Sequence, residues 1–304
     1  MMDIAEQGGK KLPTPWPVVV IWALTLVAVA LALGAQFVAG AGTGMALPLI
    51  LAFPLALLHG ARRYGMRANL VFFAVAWIFS NFFENLSILT GFPFGNYHYT
   101  GSPRIFYVPV TIGLIYYGLG YVCWMVANVL LDQADANLDW RKGWQNRLNM
   151  FALPIIAGAV MTMWDVSTDH WASTVSHNWI WENGGGLFGV PFSNYLGWWF
   201  VTWSFFQAFS LYLAYKQSTV SEPQSVVRRG LELPNVLIYG SLGLQFALFQ
   251  ILGPHVSGTV VDATGQVWNK ADMFESVAII ASFTMVPIAL LALFKMGRGD
   301  LNDD

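Results

Sequence analysis

A single cysteine, Cys123, leaves the chain without an intrachain disulfide or a thiolate metal cluster. Charge is equally scarce. Only 11% of the 304 residues are charged, where soluble domains carry about 25%, so an ordinary water-soluble fold is excluded. The formal net charge of -2 offers no basic face for nucleic acid. Five scattered histidines do not supply the repeated His-x-x-His pattern of a histidine-ligated di-iron hydroxylase. Gly184 to Gly186 is too short for a phosphate loop and follows no expected strand, so it reads as a turn.

Apolar and aromatic residues are what the chain has in excess: 56% hydrophobic, with 14 Trp, 22 Phe and 11 Tyr. Such richness suits membrane interfaces or a large apolar ligand. The run after Lys10 and Lys11, from about Trp16 to Ala39, is too long for a signal-peptide core and reads as a first span. Apolar runs of membrane-spanning length predict spans near 16–39, 43–60, 69–90, 105–131, 148–166, 190–215, 234–253 and 273–295. The second follows its neighbour so closely that a half re-entrant segment is an alternative. The expected fold is therefore all-α: one polytopic membrane domain over 1–304, a bundle of about eight transmembrane helices.

With eight spans, one side receives Lys10, Lys11, Arg62, Arg63, Arg67, Arg141, Lys142, Arg147, Lys216, Arg228, Arg229, Lys295 and Arg298. The other receives only Arg104 and Lys270. The positive-inside rule then puts both termini in the cytoplasm. Connections near 91–104, 167–189 and 254–272 face the opposite side. The linkers 132–147 and 216–233 read as solvated polar surface, Asp132, Asp135 and Asp139 included, and His59 reads as an interface residue. Phe106-Tyr-Val-Pro109 opens the fourth span and Phe188-Gly-Val-Pro191 the sixth, each after a Glu-Asn pair. Such an echo is what a parallel internal repeat leaves behind.

The stretch Asn81–Ser102 carries the first site hypothesis. Glu84 and Asn85 lie in an apolar run that breaks at Gly91-Phe92-Pro93 into a segment with Asn96, Tyr97, His98 and Tyr99. A carboxylate there must be paired, protonated or turned to a polar cavity. Glu84 follows Arg67, and Asp165 follows Arg147, by nearly equal lengths of helix. Both therefore lie at about the same depth. Asp165 and Asp169 share a helix face if the fifth helix runs that far. Glu182, Asn183 and Asn194 lie close enough in sequence to cover the same mouth.

Three chemistries fit. A desolvated carboxylic acid can protonate an alkene and leave a cation that aromatic faces stabilise. Asp165 and Asp169 with nearby histidines could bind a metal. However, the diphosphate-dependent membrane prenyltransferases need two aspartate motifs and cationic groups, on the cytoplasmic side, whereas this chain has one motif on the arginine-poor side. Buried carboxylates could also relay protons in a transporter. Against all three stand structural roles: Glu84 as a helix–helix hydrogen-bonding group, Asp165 as a cap or loop anchor, and His170 and His177 as loop residues.

Glu84-Asn-Leu-Ser-Ile-Leu-Thr-Gly-Phe-Pro-Phe-Gly-Asn-Tyr-His-Tyr99, Val108-Pro109, Asp165 to Asp169, and Trp179-Ile-Trp-Glu182 through Asn194 to Trp198 together resemble the membrane carotenoid biosynthesis family. That family includes carotenoid 1,2-hydratases and bisanhydrobacterioruberin hydratases. The likeness is good over about 60–215 and rests on hydropathy in the last two spans. Val166-Ser167 stands where the family pattern leads one to expect a proline soon after the aspartate.

The resemblance implies a multi-pass enzyme of a prokaryotic cell membrane, in contact with lipid and a carotenoid substrate, needing no cofactor and no metal. Its reaction would add water to the terminal double bond of an acyclic carotenoid end group. Glu84 or Asp165 is then the expected proton donor, and Asp169 or Glu182 activates the water. Asn85, Tyr97, His98 and Asn194 are expected to position them. Trp77, Phe83, Trp164 and Trp198 are expected to line the channel. Cyclisation or isomerisation after the same protonation, and carotenoid binding without chemistry, are the alternatives.

Overall fold

The computed structural model of the protein describes residues 16–42, 47–220, 227 and 230–300. Lys10, Lys11, Arg228 and Arg229 of the charge argument lie outside the described residues. Among the described residues, nine α-helices follow in order: α1 (Trp16–Ala39), α2 (Leu47–Tyr64), α3 (Met66–Thr90), α4 (Val110–Leu130), α5 (Trp144–His170), α6 (Phe192–Thr219), α7 (Leu233–Leu252), α8 (Lys270–Phe283) and α9 (Met285–Asp300). Short strands decorate the connections: β1 (Tyr97–Tyr99), β2 (Arg104–Ile105), β3 (Val108–Pro109), β4 (Trp179–Trp181), β5 (Thr259–Val261) and β6 (Val267–Asn269).

Among the described residues, six helical stretches are long and apolar enough to cross a membrane: α1, α3, α4, α5 with the π-turn that continues it to Val175, α7, and α8 with α9. The protein is a helical membrane protein. The last expected span is two helices that meet at Thr284. In the second, the half re-entrant alternative gives way to a continuous helix, Leu47–Tyr64, that runs through Pro54.

Helices α3, α4, α5 and α6 form a ring, each packed on the next and α6 returning to α3. α2, α7 and α9 also pack on α4. α4 is buried continuously from Tyr116 to Val129, because a helix apolar on all sides has no face to give to water. Glycine at 91 ends α3 in the left-handed region (φ 79°), where its N–H bonds the Ser87 carbonyl.

The repeated Phe-x-Val-Pro motif has a structural counterpart. Phe106 (φ 53°) and Phe188 (φ 50°) both sit in the left-handed region at the corner of a tight turn. One turn joins β2 to β3, and the other closes the Leu187–Val190 bridge. Pro109 and Pro191 then precede the first residues of α4 and α6.

The offset from Phe106 to Phe188 also carries Tyr97 to Trp179, Tyr116 to Trp198 and Trp124 to Phe206. β1 and β4 pair antiparallel with Tyr97 opposite Trp181, His98 opposite Ile180 and Tyr99 opposite Trp179. That register is centred on equivalent residues, as a local two-fold axis requires. Tyr116 stacks on Trp198 (4.8 Å, 12°) and Trp124 on Phe206 (5.6 Å, 28°), each pair equivalent by the same offset. Strands β1 and β4 and helices α4 and α6 are thus related by a local two-fold axis with this offset.

At the end of the bundle away from these turns, two expectations fail. Neither Asp139, 2% exposed, nor the fully buried Asp135 is a solvated linker residue, and Asp135 is held by an ion pair. Arg63 Nε and Nη2 donate to its two oxygens (2.6 and 2.8 Å), while Arg63 Nη1 donates to Glu232 (2.7 Å). His59 is likewise buried, between the Tyr121 hydroxyl and the Leu231 carbonyl (both 2.6 Å). These residues join α2, the α4–α5 connection and the start of α7, segments far apart in sequence.

Candidate functional site

Glu84 reaches inward from the last turns of α3 and is 3% exposed. Three phenols converge on it. Tyr116 of α4 donates to Oε1 (2.8 Å). Tyr99 (3.0 Å) and Tyr97, both from β1, donate to Oε2. Hydrogen bonds to an ionised group are worth about 1.5–3 kcal/mol each, so three of them make burial of this carboxylate tenable. Burial and the adjoining Glu84 push the Tyr97 and Tyr99 hydroxyls well above the ordinary phenol range. They therefore stay protonated and available as donors.

The second acidic group comes from α5. Asp165 and Asp169, one helical turn apart on α5, are each 1% exposed. Asn194 of α6 bridges them: its amide nitrogen donates to Asp165 Oδ2 (2.8 Å) and to Asp169 Oδ2 (2.6 Å). Asp169 Oδ1 accepts from the indoles of Trp179 (2.8 Å) and Trp181 (3.4 Å) on β4. Asp169 thus has three donors, and Asn194 is the one side-chain donor to Asp165 among the described contacts.

Between the two sets lies a cavity. Glu84, Asp169 and Asn194 supply its polar wall, and Tyr116, Trp164, Trp179, Trp181 and Trp198 its aromatic one. Asp165 stands behind Asp169. The Trp164 indole N–H is buried at the cavity wall with no hydrogen-bond partner among the described residues. Among the described residues no group of three or more His, Cys, Asp or Glu is placed to hold a metal ion.

Of the residues expected from sequence, Glu84, Tyr97, Trp164, Asp169, Asn194 and Trp198 line this cavity, and Asp165 supports it. Others do not. β1 alternates buried, exposed, buried, because successive strand side chains point to opposite faces. His98 therefore faces out and pairs with Glu182 (3.1 Å), both side chains about half exposed.

Asn85, one residue on from Glu84, points to another side of the helix. Its oxygen accepts from Tyr107 N–H (3.0 Å) and its nitrogen donates to the Asn81 carbonyl (2.7 Å), tying down the first Phe-led turn. Trp77 packs on Gly113 and Phe73. Phe83 packs on Phe82 and Phe200, away from the cavity. His170 is buried against Phe188 and the Met273 carbonyl.

Tyr116, Trp179 and Trp181 were not among the expected site residues. A tyrosine in a fully buried helix needs a partner for its hydroxyl, and that was the available signal for Tyr116. For the two tryptophans the strand pairing was needed.

The wall on the α6 side depends on one glycine. A Cβ at Gly197 would come within 2.7 Å of the Phe94 ring and 3.0 Å of the Pro93 backbone. The same segment is held by Ser87 Oγ, which accepts from Phe94 N–H (3.1 Å) and donates to the Gly95 carbonyl (3.0 Å). Gly197→Val should displace residues 93–97 and cost about 1–3 kcal/mol, read as a lower thermal midpoint in detergent. A wild-type midpoint would show that the segment yields freely.

Searches of curated proteins and of solved structures gave no match to the chain. Residues 43–263 match the family of carotenoid biosynthesis proteins. The match includes all of α2 to α7 and both halves of the cavity, and the chain belongs to that family.

Proposed function

We propose that the protein hydrates the terminal double bond of an acyclic carotenoid end group. The observation that carries this reading is one aromatic-walled cavity with two separately held acidic groups. Asp165 and Asp169, joined by one amide, hold a single proton between them, since two like charges this close are not both ionised. Asp169, the member at the cavity wall, delivers it to the less substituted alkene carbon. The tertiary cation that forms faces Trp164, Trp198 and Tyr116, whose π-faces attract it.

Water then attacks the cation. The free Trp164 N–H supplies a donor to hold that water, and Glu84 accepts the proton it loses. The product is a tertiary alcohol, and proton exchange with solvent resets the two acidic groups. The reading includes the orientation expected from charge, with the cavity near the non-cytoplasmic face of a prokaryotic cell membrane.

Expression in a lycopene-producing bacterium tests it. A product heavier than its precursor by one water is expected, and its loss on Glu84→Gln is expected as well. A product of unchanged mass would mean that an internal double bond quenches the cation, making the protein a cyclase or isomerase. No new product from an accepted acyclic substrate would overturn the reading.

A further inference from the structure

The cavity is far too small for a whole polyene. At most the end group of a carotenoid enters it, so the rest of the polyene must pass out beyond the cavity wall. Besides an apolar hollow at Met163, Tyr195 and Ile280, which shares no wall residue with the cavity, three hollows come into question. A polar one beside Thr174 and Asp262 shares only Trp181 with the cavity. An apolar groove at Leu196, Trp199 and Trp203 shares no wall residue with it. The third shares four: Tyr99, Ile112, Ile115 and Trp179.

The two-fold relation of α4 and α6 explains why, among the described residues, one such hollow adjoins the cavity and not two. The offset that relates the halves carries Ile112 to Asn194 and Ile115 to Gly197. On the α6 side, Asn194 is occupied by the two aspartates, and Gly197 is covered by Phe94 and Pro93. On the α4 side the same positions carry half-buried isoleucines that floor the third hollow. Thr100, Ser102, Thr111 and Asn178, all exposed, form its rim. An apolar floor with a hydroxyl-bearing rim suits a chain that slides in from the membrane interface.

We infer that the opening between the first turns of α4 and strand β4 is the portal through which the polyene extends while its end group occupies the cavity. This rests on the carotenoid reading above, but its test separates the two. Thr111 lines the hollow and not the cavity, so it can be changed without touching the acidic groups.

A photo-crosslinking phenylalanine analogue is placed at Thr111, or at Leu196 in the apolar groove, in protein reconstituted with an acyclic carotenoid. More carotenoid adduct is expected at position 111 than at 196. Equal or greater capture at 196 overturns the portal. In parallel, Thr111→Trp should slow hydration of the long polyene by roughly tenfold or more. A short acyclic isoprenoid with the same terminal group should react at the wild-type rate. Unchanged turnover of the long substrate, or equal loss on both, overturns the portal. If the wild-type protein hydrates neither substrate, the hydratase reading fails, while the crosslinks still report on where the polyene lies.

Discussion

Asp169→Asn is expected to lower hydration by about 10²–10⁴-fold, the usual contribution of a positioned general acid, with carotenoid binding retained. Asparagine keeps the shape and can still accept from Trp179 and Trp181, which donate to this side chain at 2.8 and 3.4 Å. It cannot deliver a proton to an alkene. Asp165→Asn should also fail. The carboxyl that shares the proton with Asp169 is then gone.

Because both changes destroy one shared proton, the double variant should be little worse than either single one, as for groups that act as a unit. The measurement is turnover of all three variants in vesicles, with carotenoid binding followed by its visible absorption. Losses that multiply would sink the shared-proton scheme. Turnover near the wild-type level in Asp169→Asn would remove Asp169 from the chemistry.

Arg63→Met is expected to destabilise the fold by about 3–5 kcal/mol, the usual cost of breaking a buried ion pair from one side. The guanidinium is 1% exposed and bonds Asp135 and Glu232, whose side chains are 0% and 9% exposed. Removing it strands two acids in the interior. Adding Asp135→Asn should restore part of the loss, because one stranded charge disappears with it. Thermal unfolding in detergent reads both variants. An unshifted midpoint for Arg63→Met would mean that water reaches this cluster in the folded protein.

The helices were legible in the sequence because membrane-length apolar runs leave few other options, and the runs near 16–39, 69–90, 105–131, 148–166 and 234–253 became α1, α3, α4, α5 and α7. The joint depth of Glu84 and Asp165 was legible too, since helical rise converts residue spacing directly into height. Side-chain direction was not. His98 and Glu182 were expected inside because they neighbour site residues in sequence. However, three-residue strands are too short to show their alternation, and the pairing of β1 with β4 decides which way each residue faces.

Asn85 failed for the helical version of the same reason. The Arg63–Asp135 pair was hidden by distance along the chain: a charged linker residue looks solvated until its partner on another helix is known. By contrast, the Phe-x-Val-Pro echo was a faint sequence signal with a definite structural counterpart, because the left-handed corner and the proline before the helix are local requirements that recur in each copy.

The Asn194 amide spans Asp165 and Asp169 with its two hydrogens. It thereby acts as a molecular ruler: any shift of α6 along α5 must lengthen one of those bonds as it shortens the other. The spacing of the acids is tied in this way to the seating of a neighbouring helix. Lipids or partners that press on the outer face of α6 would therefore tune the chemistry without ever reaching the substrate.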